Sequence, residues 1–278
     1  MRQRPAVVFS QNPSIFLVLL LLAVRPFFGY KLVSDAHYAG VVACNGSGLL
    51  QRVLDTCNRV VDLVIVTTLE HADYVSQLGG KAVVCEDPLP DLPCYGPEDA
   101  VEEKMVFFIC SFDVDEPYRN VFQAAGALAR DGFRLCVTGN YVKAGIDPAA
   151  FQSVVFYGYL PDADYHRKLF SSSLVVDLTE NENCLVCGAY EAMAAEKPLV
   201  TSNTNSLRRF FNKGTVFTDH DVDSILVAVR CAYENRDRLK SEIVQWKTEI
   251  LAAQQYASRR VYDALLSSER SGTPSSTA

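Results

Sequence analysis

The residues with the plainest chemical potential lie in one stretch, LTENENCLVCGAYEAMAAEKPLVTS, between Leu178 and Ser202. It closes a strand-like run (LVVDL), crosses a polar loop, enters a helix of small residues and leaves into a second strand. Gly188, ahead of Ala-Tyr-Glu-Ala-Met-Ala-Ala, lets that helix pack close against a sheet. One carboxylate, Glu191, then falls on the helix's first turns beside a strand-end loop, where it is placed to accept hydrogen bonds from sugar hydroxyls. His37, in SDAHYAG, is the second candidate. It follows a strand, and a neutral imidazole there can take a proton from an attacking hydroxyl. Asp35, two residues earlier, either orients His37 or is the base itself; a His37–Asp35 contact with a purely structural role is the alternative. Cys184 and Cys187 have the spacing of a zinc pair, but no second pair lies nearby, so packing is the reading. Asn45-Gly46-Ser47 matches a glycosylation sequon, a pattern too common to use.

These groups need a scaffold, and 278 residues allow two α/β domains or one large one. Apolar residues make up 49% of the chain, enough for a sizeable core. The net charge of −7 argues against a nucleic-acid partner, which would call for a basic stripe. The nine cysteines are scattered, and several sit in apolar strand-like runs (Val84-Cys85, Ile109-Cys110, Leu135-Cys136). There a free thiol serves as a small hydrophobe, which points to a reducing, cytoplasmic compartment rather than a disulfide framework.

Strand-like and helical runs alternate along the chain, the pattern of parallel sheets with crossover helices. GLLQRVLDTCNRV, with apolar residues at 49, 50, 53, 54 and 57, has the helical period. DAHYAG, SFDVDEPYRN and NYVKAGIDPAAFQS read as loops, and KTEILAAQQYASRRVYDALLSSER as one amphipathic helix. The Pro-rich, charged stretch with Pro88, Pro90, Pro93 and Pro97 marks a boundary. It divides a partial first domain (1–93), a linker (94–104), a second domain (105–245), a crossing helix (246–270) and a disordered tail (271–278). The apolar run Ile15–Val24 is expected to be the helix of a βα unit, packed on a sheet or touching a membrane face. A signal peptide and a membrane anchor are the alternatives, although Arg25-Pro26 breaks the run well short of the roughly 20 residues a span needs. Ligands of open α/β sheets bind beyond the carboxyl ends of the strands.

DPLPD at the end of the first half, VTG in the second, FYGYLPDADYHRKL and above all CGAYEAMAAEKPLVTSNT resemble the group 1, family 4-like glycosyltransferases. The resemblance runs from Ala6 to about Leu265. QNPS…KLVSDAHYAG is similar to acceptor-domain segments of enzymes that glycosylate lipid-linked or extracellular polysaccharide precursors. The resemblance implies an α/β fold of the GT-B type: two facing Rossmann-like domains, the first incomplete, with the C-terminal helix crossing back to it. It implies transfer of a hexose from a nucleotide-diphospho-sugar, such as UDP- or GDP-hexose, to a carbohydrate or lipid-linked acceptor in polysaccharide or glycoconjugate synthesis. Neither metal nor cofactor is expected, because helix N-termini and side chains stabilise the leaving diphosphate.

Carried over residue by residue, Glu191 matches the family glutamate that binds ribose hydroxyls. The family's other glutamate, eight positions earlier, falls on Asn183, with Glu180 and Glu182 close enough to substitute. Backbone N–H groups from Asn183 through Cys184 and Leu185 to Val186 contact donor sugar or phosphate, and Thr179 belongs to the same donor-side loop. His37 contacts the transferred sugar or departing phosphate. Ser111 is the small residue that lets backbone approach phosphate. The family's Arg and Lys that grip the diphosphate are not matched; DVDEP is acidic instead, leaving Arg119 as the candidate cation, with a solvated Arg at a helix start the alternative. The strand-end loops with Thr138, Gly139, Gly158 and Tyr159 would line the base pocket, with a turn role alone the alternative for their glycines; Arg208, Arg209 and Lys213 are surface charge. Acceptor domains of this family normally open with further βα units and a Gly-rich loop. A late gene start, a separate subunit and a reduced, inactive form each account for their absence. The apolar faces so exposed, including the Phe16–Val24 helix, would invite a partner subunit or peripheral membrane contact. Two other readings are a degenerate nucleotide-sugar-binding subunit that needs a partner, and a sugar-nucleotide epimerase of the same architecture.

Overall fold

Strands such as LVIV and MVFF carry no polar face, so they are stable only where helices cover both sides of a parallel sheet. The computed structural model describes residues 6–11, 14–42, 48–93 and 101–270. Asn12-Pro13, Cys44, the Asn45-Gly46-Ser47 sequon, linker residues 94–100 with Cys94 and Pro97, and the tail 271–278 lie outside the described residues. The chain divides into two compact units, Met1–Pro88 with Ala252–Ala278, and Leu89–Leu251.

The first unit runs β1 (Val7–Gln11), α1 (Ile15–Phe28), β2 (Lys31–Asp35), α2 (Tyr38–Val41), α3 (Gly48–Val60), β3 (Leu63–Val66), α4 (Leu69–Gln77) and β4 (Ala82–Val84). Its four strands are parallel in the order β1-β2-β3-β4. Leu32, Val64 and Val66 on one face bury against Val18 of α1, Cys57 of α3 and Val75 of α4. Ser14 caps α1 by accepting from Leu17 N at 3.3 Å, and Gly29 at φ +71° closes it. DAHYAG is not wholly a loop. Tyr38–Val41 makes one helical turn, held by Val42 N donating to Tyr38 O (2.8 Å) and by Asn58 Nδ2 donating to Gly40 O (3.0 Å).

The second unit runs β5 (Met105–Phe108), α5 (Tyr118–Arg130), β6 (Arg134–Thr138), β7 (Val154–Gly158), α6 (Asp162–Ser171), β8 (Leu174–Asp177), α7 (Cys187–Ala194), β9 (Leu199–Ser202), α8 (Asn205–Phe210), β10 (Thr215–Thr218), α9 (Val222–Glu234) and α10 (Arg236–Gln254). Its strands are all parallel in the order β10-β9-β8-β5-β6-β7, the doubly wound Rossmann order with its reversal between β5 and β8. Alternate residues divide between two cores. Val106, Phe108, Leu135 and Val176 meet Val121 and Leu128 of α5 and Ile225 and Val229 of α9. Met105, Phe107, Val175 and Leu199 meet Leu169 of α6, Ala189 and Met193 of α7 and Trp246 of α10. Two predicted loops are shorter than expected: Tyr118–Asn120 already belong to α5, and Pro148–Ala150 form a 3-10 turn.

The predicted single helix over 247–270 is two. α10 continues unbroken through Lys247 to Gln254, and α11 (Ala257–Arg270) follows a turn. No Pro or Gly marks the break; packing sets it. Ile243 and Trp246 anchor α10 in the second unit's core, with Trp246 Nε1 donating to Phe210 O at 2.8 Å. α11 instead buries Leu265 against Val33, Leu63 and Ile65 of the first unit, where Lys31 Nζ donates to Leu265 O at 3.3 Å. The C-terminal helix thus belongs to the first unit's core, although its sequence is far from it.

Candidate functional site

Where neighbouring parallel strands connect outward in opposite directions, a crevice opens beyond their carboxyl ends. In the second unit that point lies between β5 and β8. Asp177, the last residue of β8, is buried, and its carboxylate accepts the backbone N–H groups of Gly188 and Ala189 at the start of α7. Only glycine permits this approach, since a Cβ on Gly188 would lie 2.5 Å from Asp177 Oδ2 and 2.9 Å from the Ile109 side chain. Loss of water pushes the Asp177 pKa well above the usual range; the Glu116 and Glu191 charges push it further, against the pull of the two N–H groups.

Glu191 lies one turn into α7 and is half-buried. Its carboxylate accepts the Tyr165 hydroxyl from α6. Burial raises its pKa, while the Tyr165 hydrogen bond and His166 lower it. The Tyr165 ring is fixed 5.5 Å from that of Phe107, and burial followed by the Glu191 charge raises the phenol's pKa.

On the β5 side the chain turns through Cys110–Pro117. Both oxygens of Glu116 lie 3.0 Å from Ser111 N; its carboxylate also accepts Ser111 Oγ (3.1 Å), Asp113 N (2.8 Å) and the Cys110 thiol (3.3 Å). A further network ties β8 to its neighbours. Asp115 Oδ2 accepts Thr179 Oγ1 (2.8 Å) and Asn181 Nδ2 (2.7 Å), Thr179 N donates to Ser202 Oγ (2.8 Å), and Ser202 Oγ lies 2.9 Å from His220 Nε2.

Of the residues singled out in the sequence, Glu191, Thr179, Glu182, Asn183, Cys184, Leu185, Ser111, Thr138, Gly139 and Gly158 all fall in or beside the loops and turns that follow β5, β6, β7 and β8. Thr138 Oγ1 and Gly139 N both donate to Gly158 O, at 3.1 and 3.0 Å. Glu182 does not stand in for the Asn183 position freely, because its Oε2 accepts Asn205 N at the start of α8 (3.2 Å). Burial, then the charges of Asp115, Asp177 and Cys187, push the Cys184 thiol up to about 12. Tyr159 is exposed, and the exposed Arg119 lays its guanidinium 5.3 Å over the Tyr118 ring. Asp35 ends β2 in the first unit and His37 follows it. The carboxylate set against the imidazole is Asp87, not Asp35: Asp87 Oδ2 lies 3.6 Å from His37 Nδ1. Burial raises the Asp87 pKa, His37 lowers it and Asp35 raises it.

Sequence reasoning passed over Tyr165, Asp177, Glu116 and Asp87. Three carried a usable signal: Tyr165 and Asp87 lie in the motifs DADYHRKL and DPLPD, and Asp177 is the lone charge closing LVVDL. Among the described residues, no group of three or more His, Cys, Asp or Glu side chains is arranged to hold a metal ion. A cavity of about 990 Å³ opens beside the loops leading into β8 and β9, lined by Leu89, Phe170, Lys197, Lys240 and Leu251. None of the carboxylates at the strand ends lines it.

The family model described as glycosyl transferase-like matches residues 118–266, more than half the chain. The chain belongs to the glycosyl transferase-like family. The family match takes in Tyr165, Asp177 and Glu191 and begins just after the Glu116 loop. Among solved structures, sucrose-phosphate synthase from Thermosynechococcus elongatus is similar over 95% of this chain and 74% of its own, at TM-score 0.71 and 15% identity. HepE from Anabaena, solved with UDP-glucose, is similar over 93% of this chain and 79% of its own, at TM-score 0.74 and 14% identity. A glycosyltransferase from Rickettsia africae covers 92% and 82%, at TM-score 0.63 and 11% identity. At such identities the likeness is one of fold, the GT-B type with its two Rossmann-like sheets. No curated protein matches the sequence.

Proposed function

We propose that this glycosyltransferase binds a nucleotide-diphospho-sugar at the β5–β8 reversal of its second unit and transfers the hexose to a hydroxyl of a carbohydrate or lipid-linked acceptor, without a metal. The observation that carries the reading is Glu191: a half-buried carboxylate at the strand ends, held by the Tyr165 hydroxyl beside the buried Asp177. A carboxylate so placed binds the two ribose hydroxyls, each a donor. The N–H groups of 183–186, ahead of α7, take sugar or phosphate oxygens. The turns at Thr138-Gly139 and Gly158 hold the base. His37, with Asp87 against it, is the candidate for contact with the transferred sugar. UDP-glucose is the first donor to test, because HepE was solved with it.

Titration calorimetry with UDP-glucose and GDP-mannose tests this on the wild type and Glu191→Ala. Loss of hydrogen bonds to a charged acceptor costs about 1.5–3 kcal/mol, so the variant should bind roughly tenfold to a hundredfold more weakly. Absence of binding of any nucleotide-sugar to the wild type would sink the proposal. Donor hydrolysis by His37→Ala, and by the wild type in a chelator, then tests the role of the imidazole and the metal-independence.

A further inference from the structure

We propose that Glu116 is an internal stand-in for the donor's diphosphate, seated in a backbone anion nest that phosphate oxygens must take over for the donor to bind. This rests on the donor reading above. Ser111 and Asp113 flank Phe112, which has a left-handed φ of +64°. That alternation turns the two N–H groups flanking Phe112 toward one point, the concavity in which proteins bind phosphate oxygens. The group at that point is the Glu116 carboxylate, which takes Ser111 N at 3.0 Å and Asp113 N at 2.8 Å, with Ser111 Oγ adding a third donor at 3.1 Å.

The nest lies at the end of β5, at the sheet's reversal, where a diphosphate would arrive. A Cβ on Gly139 would sit 2.0 Å from Cys110 O, so the β6 turn packs directly on the loop that carries the nest. Glu116 itself is only half-buried, with Val114 of its own loop 88% exposed, so its side chain has solvent to swing into. Its charge also reaches Asp177 across the site, adding to that carboxyl's raised pKa. A diphosphate therefore meets Glu116 as a competitor for the same donors and as a like charge. Displacing it lowers affinity for phosphorylated ligands and leaves nucleoside contacts untouched.

The test compares UDP, GDP, uridine and guanosine binding to full-length wild type, Glu116→Ala and Glu116→Gln. Glu116→Ala should bind the diphosphate of the preferred base at least tenfold tighter, with the matching nucleoside unchanged, and Glu116→Gln should fall between. Unchanged or weaker diphosphate binding overturns the inference and makes Glu116 a brace for the loop. A second measurement needs no variant: in ¹⁵N-labelled wild type, the Ser111 and Asp113 amide resonances should move with the diphosphate and not with the nucleoside. Diphosphate binding that leaves those amides unmoved also overturns it. If no diphosphate binds any of the three proteins, the donor reading fails, and this inference with it.

Discussion

A carboxyl group stripped of water and set between two other carboxylates holds its proton, and Asp177 is such a group. Its folded pKa lies well above 3.8, so the unfolded chain releases that proton at lower pH than the folded one. The stability it contributes is complete below the unfolded pKa and is lost as pH rises toward the folded value. The loss is about 1.4 kcal/mol per pH unit across that window. Asp177→Asn should remove this component, leaving a flatter urea midpoint as pH rises above the ordinary Asp pKa of about 4. A wild type as flat as the variant would contradict the assignment. Glu191 titrates by related physics with a functional readout. Tyr165 lowers its raised pKa, so Tyr165→Phe should keep Glu191 protonated to higher pH. The rise of UDP affinity with pH should then shift to higher pH, which calorimetry at several pH values would detect. Glu191 was legible in the sequence because its surroundings, GAYEAMAAEKPLV, are contiguous. Tyr165, 26 residues earlier, and Asp87, 50 residues after His37, meet their partners only through the folded sheet, so spacing along the chain could not pair them.

Elements with a strong period and a marked end were equally plain. α3 spans the predicted run because its apolar residues repeat at the helical spacing between a glycine and a strand. The break between α10 and α11 was not legible, because no Pro or Gly marks it and what divides them is which core each joins. α7 shows how an element serves the site. It is short, and its position depends on Gly188 letting its first turn reach Asp177. Gly188→Ala would place a methyl 2.5 Å from Oδ2 and 2.9 Å from Ile109, with sheet beneath both. Overpacking of this kind costs about 1–3 kcal/mol, and more here if the Asp177 hydrogen bonds part. The expected result is a lower urea midpoint together with weaker nucleotide binding, since Glu191 rides on the same helix. Wild-type stability in Gly188→Ala would show that α7 can move away freely, and would remove the basis for placing Glu191.

At the scale of the whole molecule, the two units differ in how completely their apolar residues are covered. In the second, helices bury both faces of the sheet. In the first, α1 is apolar on every side: Val18 faces the core, while Phe16, Leu20, Ala23 and Phe27 form an outward stripe at helical spacing. Phe16, Leu20 and Phe27 are 81%, 59% and 75% exposed, and β1, at the sheet's edge, adds Phe9 at 58%. At about 200 Å² per large side chain, the three helical residues alone expose roughly 400 Å², as much as the largest apolar patch of many monomers. No helix among the described residues is long and apolar enough to cross a membrane. Because these side chains bury little, replacing them with serine should change stability by no more than about 0.5 kcal/mol each. The stripe should instead dominate how the chain sticks to itself and to apolar dyes. Phe16→Ser/Phe27→Ser should lower light scattering at high concentration and reduce 8-anilinonaphthalene-1-sulfonate fluorescence, with nucleotide binding in the second unit unchanged. A large fall in melting temperature would mean that the stripe is packed after all; unchanged scattering would move the adhesive surface elsewhere, with the β1 edge and Phe9 next to be tested.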